Sequence, residues 1–352
     1  SDRERFEAFA TKHGLRMPNG ATGTTADDIR SAVEDIGFPV LIRPSYVLGG
    51  RGMEILSNEA QLEAYLKEAY LAPDKPLLVD EYLGHATELD VDAASDGKEV
   101  LVGAIMEHLE EAGIHSGDST CFIPAQNISK EMLDRVAEQT KTIGLGLNIK
   151  GCFNIQFAIQ GDDLYVLEVN PRSSRTVPFV AKSSGLPLAK IAANITIGIP
   201  LSQQSIPKRT SGQICVKAPV FPFIKLRGLD PAPGPEMKST GEVYGSDTSA
   251  DVAYLKARLA TEVPVASSGG VYLTVREEDK HSLAPVAKEL SDLGFELYAT
   301  PGTADVLRNS DIEVTTVYRI NERKHPDALD LMRRGDISFI INVPTVSGGA
   351  VR

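Results

Sequence analysis

Residues 152–170 read Cys152-Phe-Asn-Ile-Gln-Phe-Ala-Ile-Gln-Gly-Asp-Asp-Leu-Tyr-Val-Leu-Glu-Val-Asn170, two alternating runs on either side of Gly161-Asp162-Asp163. Alternation with period two marks half-buried strands, and the Gly-Asp break between the runs marks a hairpin. Centring the turn on Asp162 sets Gln156 opposite Glu168. Successive strand side chains point to opposite faces, so Gln156, Glu168 and Asn170 share one side. Phe153, Ile155, Phe157, Ile159, Tyr165, Leu167 and Val169 are expected to fill a core on the other. One carboxylate and two amides form a hard-oxygen set of low charge, the set Mg²⁺ takes when it shares its shell with water and substrate phosphates. An amphipathic hairpin with its polar face in water has the same pattern, so alternation alone leaves both readings open. The continuation Asn170-Pro-Arg-Ser-Ser-Arg175 adds two guanidinium groups, Arg172 and Arg175. Their forked donors can hold a carboxylate-like substrate and a phosphoryl group in transit.

Upstream of the hairpin the chain alternates strands with capped helices. Thr25 is placed to cap a helix through Ile29, Val33 and Ile36 closed by Gly37, and Asn58 with Gln61 forms a capping pair before Leu62, Leu66 and Ala69. Strands are expected at Pro39–Arg43, Leu77–Glu81, Glu88–Ala94 and Val100–His108, the last two joined by Asp96-Gly97. Gly49, Gly50 and Gly52 surround Arg51 in a loop whose backbone N–H groups can close over phosphates, with Arg43 on the preceding strand. A tight turn between strands would look the same. Glu88, Asp90 and Asp92 read as one solvated strand face, and His115 as a loop histidine.

Prolines at 207, 219, 222, 231, 233, 235 and 264 argue against regular helices over 201–265, leaving short strands and connections. After Ser267-Ser-Gly-Gly270 come strand Val271–Val275, a helix through Leu283, Val286 and Leu290 ended by Gly294, and strand Phe295–Ala299. A short helix, strand Glu313–Val317, another helix and strand Ile337–Asn342 follow, the rhythm of a small parallel doubly wound sheet. The fold class is therefore α/β and α+β, divided at 1–200, 201–266 and 267–352. Thr300-Pro-Gly-Thr303, between a strand and a helix, is either an anion site or plain helix capping by Thr303.

The 352 residues leave room for two or three domains, and 36 basic against 48 acidic side chains give a net charge of −12. That balance offers no overall attraction to nucleic acid or to an anionic membrane. Cys121, Cys152 and Cys215 are odd in number and lack metal-ligand spacing, so a disulfide framework and a zinc site are not expected. No apolar run approaches the ~18 residues that span a bilayer, and Ser-Asp-Arg-Glu-Arg lacks the apolar core of a signal peptide. A soluble, cytoplasmic protein is expected. The chain starts without Met inside a helical pattern and stops after a strand, so both ends are expected to be cuts in a longer polypeptide.

Glu168-Val-Asn-Pro-Arg172 resembles the metal-binding strand end of ATP-grasp ligases. With Arg43-Pro-Ser-Tyr-Val-Leu-Gly-Gly-Arg51, Met106-Glu-His108, His115-Ser-Gly-Asp118 and Arg175-Thr-Val-Pro-Phe179, the sequence resembles the second synthetase half of the carbamoyl phosphate synthetase large subunit family. The resemblance implies ATP-dependent phosphorylation of carbamate, within glutamine-dependent carbamoyl phosphate synthesis for pyrimidine and arginine biosynthesis. Its cofactors would be ATP with Mg²⁺ or Mn²⁺, and K⁺ is a further candidate. It implies metal ligands Gln156, Glu168 and Asn170, and catalytic Arg175, Arg172 and Arg51. Arg43, Arg51, Gln156 and Glu168 would hold the nucleotide together with the loop Gly113, Ile114, His115 and Ser116. Backbone around Glu81 and Leu83 would read the adenine edge, and Glu88 the ribose.

Residues 268–352 resemble an incomplete methylglyoxal synthase-like regulatory domain, which implies a nucleotide monophosphate effector at Lys280, Thr300, Thr303, Arg319 and Asn342. Arg319 stands where relatives often have Lys, and Val343-Pro-Thr-Val-Ser-Gly348 replaces their usual Thr-Thr-Ser-Gly, which leaves the effector open. Implied partners are a glutaminase small subunit and an N-terminal half that makes carbamate. Another ATP-grasp carboxylase or ligase, or a non-catalytic nucleotide-binding regulatory fragment, remains an alternative.

Overall fold

The computed structural model describes residues 3–44, 49–69, 76–207, 212–223 and 231–343. The chain divides into two compact units, Ser1–Val263 and Pro264–Arg352.

The larger unit begins with helix α1 (Arg3–Lys12) and an antiparallel sheet of β1 (Gly20–Gly23), β2 (Val40–Pro44), β3 (Glu54–Leu56) and β4 (Leu77–Glu81), in the order β1-β4-β2-β3. Helices α2 (Ala26–Ile36) and α3 (Glu59–Glu68) pack on it. Ile29 and Val33 meet Val40, Ile42, Leu56, Leu62, Leu77 and Val79 in one core. Both caps form as the sequence requires: the Thr25 hydroxyl accepts the Asp28 N–H and Asp28 returns the bond, while Asn58 Oδ1 accepts the Gln61 N–H at 3.0 Å.

A seven-stranded sheet follows, built from β5 (Thr87–Ser95), β6 (Val100–Glu111), β7 (Cys121–Ile123), β8 (Gly151–Gln160), β9 (Asp163–Asn170), β10 (Ile214–Val220) and β11 (Gly241–Asp247). Its order is β11-β10-β7-β6-β5-β8-β9, with every pair antiparallel. One face buries Leu89, Val91, Ala93, Phe153, Ile155 and Phe157 against α1 and the 17-residue helix α4 (Lys130–Gly146), which Ser129 caps. Complete burial of one such aromatic or aliphatic side chain stabilises by about 1.5–3 kcal/mol. At one end of the opposite face, Ala94, Ala104 and Cys152 lie beneath α5 (Val177–Ser184) and α6 (Leu188–Thr196). Further along β5 and β8 that face turns polar.

The hairpin departs from the expected register. Gln156 does face Glu168, but Gln160 pairs with Asp163, so the turn is the two residues Gly161-Asp162. A bulge between Gln156 and Phe157 absorbs the difference, leaving Leu167 as the extra residue. Leu164 and Val166, and not Tyr165 and Leu167, therefore enter the Phe153 core; Tyr165 and Leu167 pack with Leu83, Ala86, Ala112 and Ala158. Over 201–265 the expectation of no regular helix is also corrected. The prolines stop short of 250–260, and that stretch forms α7 (Ala250–Ala260) with Ala253 and Ala257 buried on β10 and β11.

The smaller unit is a parallel sheet of β12 (Gly270–Val275), β13 (Glu296–Ala299), β14 (Thr315–Thr316) and β15 (Ile337–Val343), in the order β14-β13-β12-β15. Helices α8 (Lys280–Asp292) and α9 (Pro301–Asn309) cover one face through Leu283, Ala287, Ala304 and Leu307, and α10 (Ala328–Arg334) covers the other through Ala328 and Leu331. Burial on both faces explains the nearly continuous apolar run of β12. Val286, expected on the buried stripe of α8, is exposed, and Ala287 takes that place. The strand expected over 313–317 shrinks to Thr315–Thr316. Residues 344–348 of the expected effector loop lie outside the described residues.

Candidate active site

The alternation of β5 carries Glu88, Asp90 and Asp92 onto the polar face of the large sheet, where Asp90 pairs with Gln156 and Asp92 with Asn154. These carboxylates are not solvated. All three are buried, as are His108 and Asn154. Asn154 Nδ2 donates to Asp90 Oδ1 at 3.1 Å and to Asp92 Oδ1 at 3.0 Å, and the hydroxyls of Thr176 and Ser174 donate to Asp92 Oδ2 at 2.6 and 2.9 Å. Burial still pushes Asp92 up to about 6.

His108 Nε2 lies 3.3 Å from Asp90 Oδ2, and its Nδ1 lies 4.0 Å from Glu88. Burial opposes charge on the imidazole, yet Cys121, the bond to Asp90 and the Glu88 charge outweigh it and hold the pKa well above the ordinary histidine value. Asp90 is held low despite burial by His108, Asn154 and Lys217. Burial raises Glu88 to about 7, against the attraction of His108 and a hydrogen bond from the Gly113 N–H. Period-two reading of β5 aligned these three carboxylates, and their burial shows only once the neighbouring strands are joined to it.

At the open end of the same face stand the residues the sequence singled out. Glu168 is half-exposed at the end of β9, with Arg43 Nη1 4.0 Å from its carboxylate and Arg43 Nε 3.3 Å from Asp80. Gln156 Nε2 donates to Ser116 Oγ at 2.9 Å, leaving its carbonyl oxygen for another partner. Arg172 bends back onto Asn170 Oδ1 at 3.4 Å. Arg51 and Arg172 are exposed, and among the described residues neither forms an ion pair with Glu168. The carboxylate and the two amide oxygens are hard donors of the kind a divalent cation takes, and Arg172 would have to leave Asn170 Oδ1 for that oxygen to serve.

The loop Gly113–Ser116 borders the site. His115 Nδ1 accepts the Gly117 N–H at 3.0 Å, and burial lowers its pKa, both consistent with a neutral ring. Fully buried Lys217, on β10, donates to the Ser116 carbonyl at 3.0 Å. At the end of β4 and just past it, Leu83 is buried, the Glu81 N–H is given to the Asn19 carbonyl at 2.7 Å, and the Glu81 carboxylate accepts from Asn19 Nδ2 at 2.8 Å. Glu88, expected at a ribose, is buried and accepts a hydrogen bond from the Gly113 N–H.

In the smaller unit Lys280, Thr300, Thr303, Arg319 and Asn342 lie at or just beyond the carboxyl ends of the parallel strands, where open α/β sheets bind ligands. The Lys280 ammonium reaches the start of α9, 2.8 Å from where a β-carbon on Gly302 would stand, and also pairs with Glu277. Thr300 and Thr303 are buried and bonded to each other at 3.2 Å, and Thr300 makes no side-chain cap to α9. Thr303 sits inside the helix, so capping does not account for it.

A four-stranded and a seven-stranded antiparallel sheet in one unit, with a polar strand face and a glycine loop, is the ATP-grasp architecture. Solved structures share it: an N5-carboxyaminoimidazole ribonucleotide synthetase in its ADP complex superposes with a TM-score of 0.59 at 16% identity, covering 74% of this chain and 70% of that one. The biotin carboxylase of Campylobacter jejuni gives 0.53 at 19%, covering 63% and 51%. Residues 2–204 match the carbamoyl-phosphate synthase L chain ATP-binding domain, and residues 282–351 match the MGS-like domain. The chain belongs to the carbamoyl-phosphate synthase large-chain family. It is 46% identical over 344 residues to the carbamoyl phosphate synthase large chain of Methanoculleus marisnigri, covering 97% of this chain and 32% of that one. The large chain of Methanosarcina acetivorans is 47% identical over 346 residues, covering 98% and 32%, so the chain spans about a third of these relatives' length. Among the described residues no helix is long and apolar enough to cross a membrane.

Proposed function

We propose that the larger unit phosphorylates carbamate with Mg-ATP, giving carbamoyl phosphate and ADP. The observation that carries this reading is the open end of the hairpin, where Gln156, Glu168 and Asn170 share one face with Arg43 beside Glu168. A carbamate oxygen forms a bond to the γ-phosphorus as the bond from that phosphorus to the β,γ-bridging oxygen breaks. Such a transfer asks for positioning and for cations around the three equatorial oxygens. Gln156, Glu168 and Asn170 would hold Mg²⁺ or Mn²⁺, which when bound neutralises phosphate charge. Arg43, Arg51 and the Gly49–Gly52 loop would orient the phosphates, Arg175 and Arg172 would hold carbamate and the moving phosphoryl group, and the backbone about Glu81, Leu83 and Gly113–Ser116 would bracket the base and ribose. K⁺ is a further candidate in this role set.

In the full relatives this half would receive carbamate from an N-terminal half supplied with ammonia by a glutaminase subunit, in the cytoplasm, for pyrimidine and arginine synthesis. The strand-end cluster Lys280, Thr300, Thr303, Arg319 and Asn342 would take a phosphate-bearing effector such as a nucleotide monophosphate. Segment 201–266 would complete the synthetase unit, and 267–352 would form the regulatory one. Acceptor identity is tested in reverse, by ATP formation from Mg-ADP with carbamoyl phosphate or with acetyl phosphate. Turnover with carbamoyl phosphate and at least about tenfold less with acetyl phosphate is expected; equal turnover, or a preference for acetyl phosphate, would refute the assignment to carbamate.

A further inference from the structure

Beyond the 2–204 match, the short segment 234–239 is bonded to five residues of the candidate active site, Gly49, His115, Gly117, Asp118 and Arg175. The Met237 N–H donates to the Gly49 carbonyl at 2.9 Å, and the Gly234 carbonyl accepts the His115 N–H at 2.8 Å. Both oxygens of buried Asp118 are taken by this segment, from the N–H groups of Lys238 at 2.8 Å and Ser239 at 2.9 Å. Ser239, itself buried, donates its hydroxyl to the Gly117 carbonyl at 2.9 Å and accepts from Arg175 Nη1 at 3.3 Å. The same Nη1 lies 2.9 Å from Met237 Sδ.

Two glycines are shaped to this arrangement. Gly50 has φ +68°, and a β-carbon there would stand 2.0 Å from the Pro235 carbonyl oxygen. A β-carbon on Gly117 would stand 3.0 Å from Met237 Sδ and 3.1 Å from Arg175 Nη1. Gly50 tolerates no side chain while the segment stays seated, and one at Gly117 would make the Met237 and Arg175 side chains give way by a few tenths of an ångström. The phosphate loop, the 113–118 loop and the Arg175 guanidinium thus meet on one strap, pinned by a single buried carboxylate.

We infer that Ser239 is a positioning residue: through this strap it fixes the Arg175 guanidinium against the 113–118 loop, in the orientation from which Arg175 acts. Resting on the reading of Arg175 given above, the inference adds the 234–239 segment to the synthetase machinery. A hydroxyl that both donates to a fixed carbonyl and accepts from a guanidinium constrains the planar fork in direction as well as distance. Misplacement of a charge-stabilising group by about 1 Å costs on the order of a hundredfold in rate.

The test uses the whole chain and its Ser239→Ala, Ser239→Thr, Arg175→Ala and double Ser239→Ala/Arg175→Ala variants. It reads kcat and the ADP KM of ATP formation from carbamoyl phosphate, the melting temperature, and a crystal structure of Ser239→Ala. The expected results are a kcat lowered about ten- to a hundredfold in Ser239→Ala, with ADP KM within about twofold and melting unchanged. Ser239→Thr should restore most of the rate, and Ser239→Ala should add nothing to Arg175→Ala. Losses that multiply in the double variant, or an Arg175 side chain unmoved in the Ser239→Ala crystal, would overturn the inference. A parent chain without ATP formation would count against the proposed function alone, and the crystal structure would still decide the role of Ser239.

Discussion

The two sheets of this chain carry their candidate sites in different ways. In the seven-stranded antiparallel sheet the site lies on a face, because Glu88, Asp90 and Asp92 of β5, Asn154 and Gln156 of β8 and Glu168 and Asn170 of β9 share it and α5 and α6 cover only one end of it. In the four-stranded parallel sheet helices cover both faces, so chemistry is left to the strand ends and the loops beyond them. An antiparallel site is therefore coupled to the burial of its own strands, whereas a strand-end site is separable from the core beneath it.

Substitutions can break or sharpen that contrast. The largest effect is expected from Arg175→Ala, which removes a guanidinium from the sheet face and should lower ATP formation by about 10²–10³-fold, as loss of one preorganised charge donor does elsewhere; steady-state assays check it. Glu88→Gln comes next. The folded-state pKa of Glu88 is raised from 4.5 to about 7, so its proton is bound in the folded chain and lost in the unfolded one across that interval. Wild-type stability should therefore fall as pH rises from 4.5 to 7, and the glutamine variant should be the more stable chain at pH 8. The gain reaches up to about 3 kcal/mol and vanishes near pH 4.5, as denaturant melts at the two pH values would show. A stability gain at pH 4.5 equal to that at pH 8 would contradict the burial argument.

Gly50→Ala places a β-carbon against Pro235 in a left-handed backbone and should cost about 1–3 kcal/mol or release the loop, raising the ADP KM. Lys280→Gln tests the other half of the contrast. It should weaken binding of a nucleotide monophosphate by about tenfold, the size of one charge-assisted hydrogen bond, while leaving ATP formation unchanged. Calorimetric titration beside the kinetic assay separates the two. Thr25→Ala removes a helix cap and should cost about 1 kcal/mol in melts, with no kinetic effect.

Where one side-chain period or one cap decided the outcome, the sequence was legible. The Thr25 and Asn58 caps, the Gln156 to Glu168 pairing and the parallel rhythm of 271–343 all follow from local rules. The bulge at Leu167 was not legible, because period-two reading assumes an unbroken ladder and one extra residue reverses the faces of Tyr165 and Leu164. The burial of Glu88, Asp90 and Asp92 was misjudged for a different reason. A carboxylate series reads as solvated until His108, Asn154 and Lys217 arrive from three other strands to accompany it. Helix α7 was hidden by prolines counted over too wide a window. Ser239 and Met237 carry no local signal, since their role arises only when residues more than sixty positions apart are brought together.

The most direct test of the central claim is the Mg²⁺ dependence of ATP formation from ADP and carbamoyl phosphate, measured on this chain and on Glu168→Gln. The account predicts Mg-dependent turnover in the parent chain, and a loss of at least about a hundredfold in the variant with its melting temperature preserved. Turnover in Glu168→Gln equal to the parent at every Mg²⁺ concentration would contradict it.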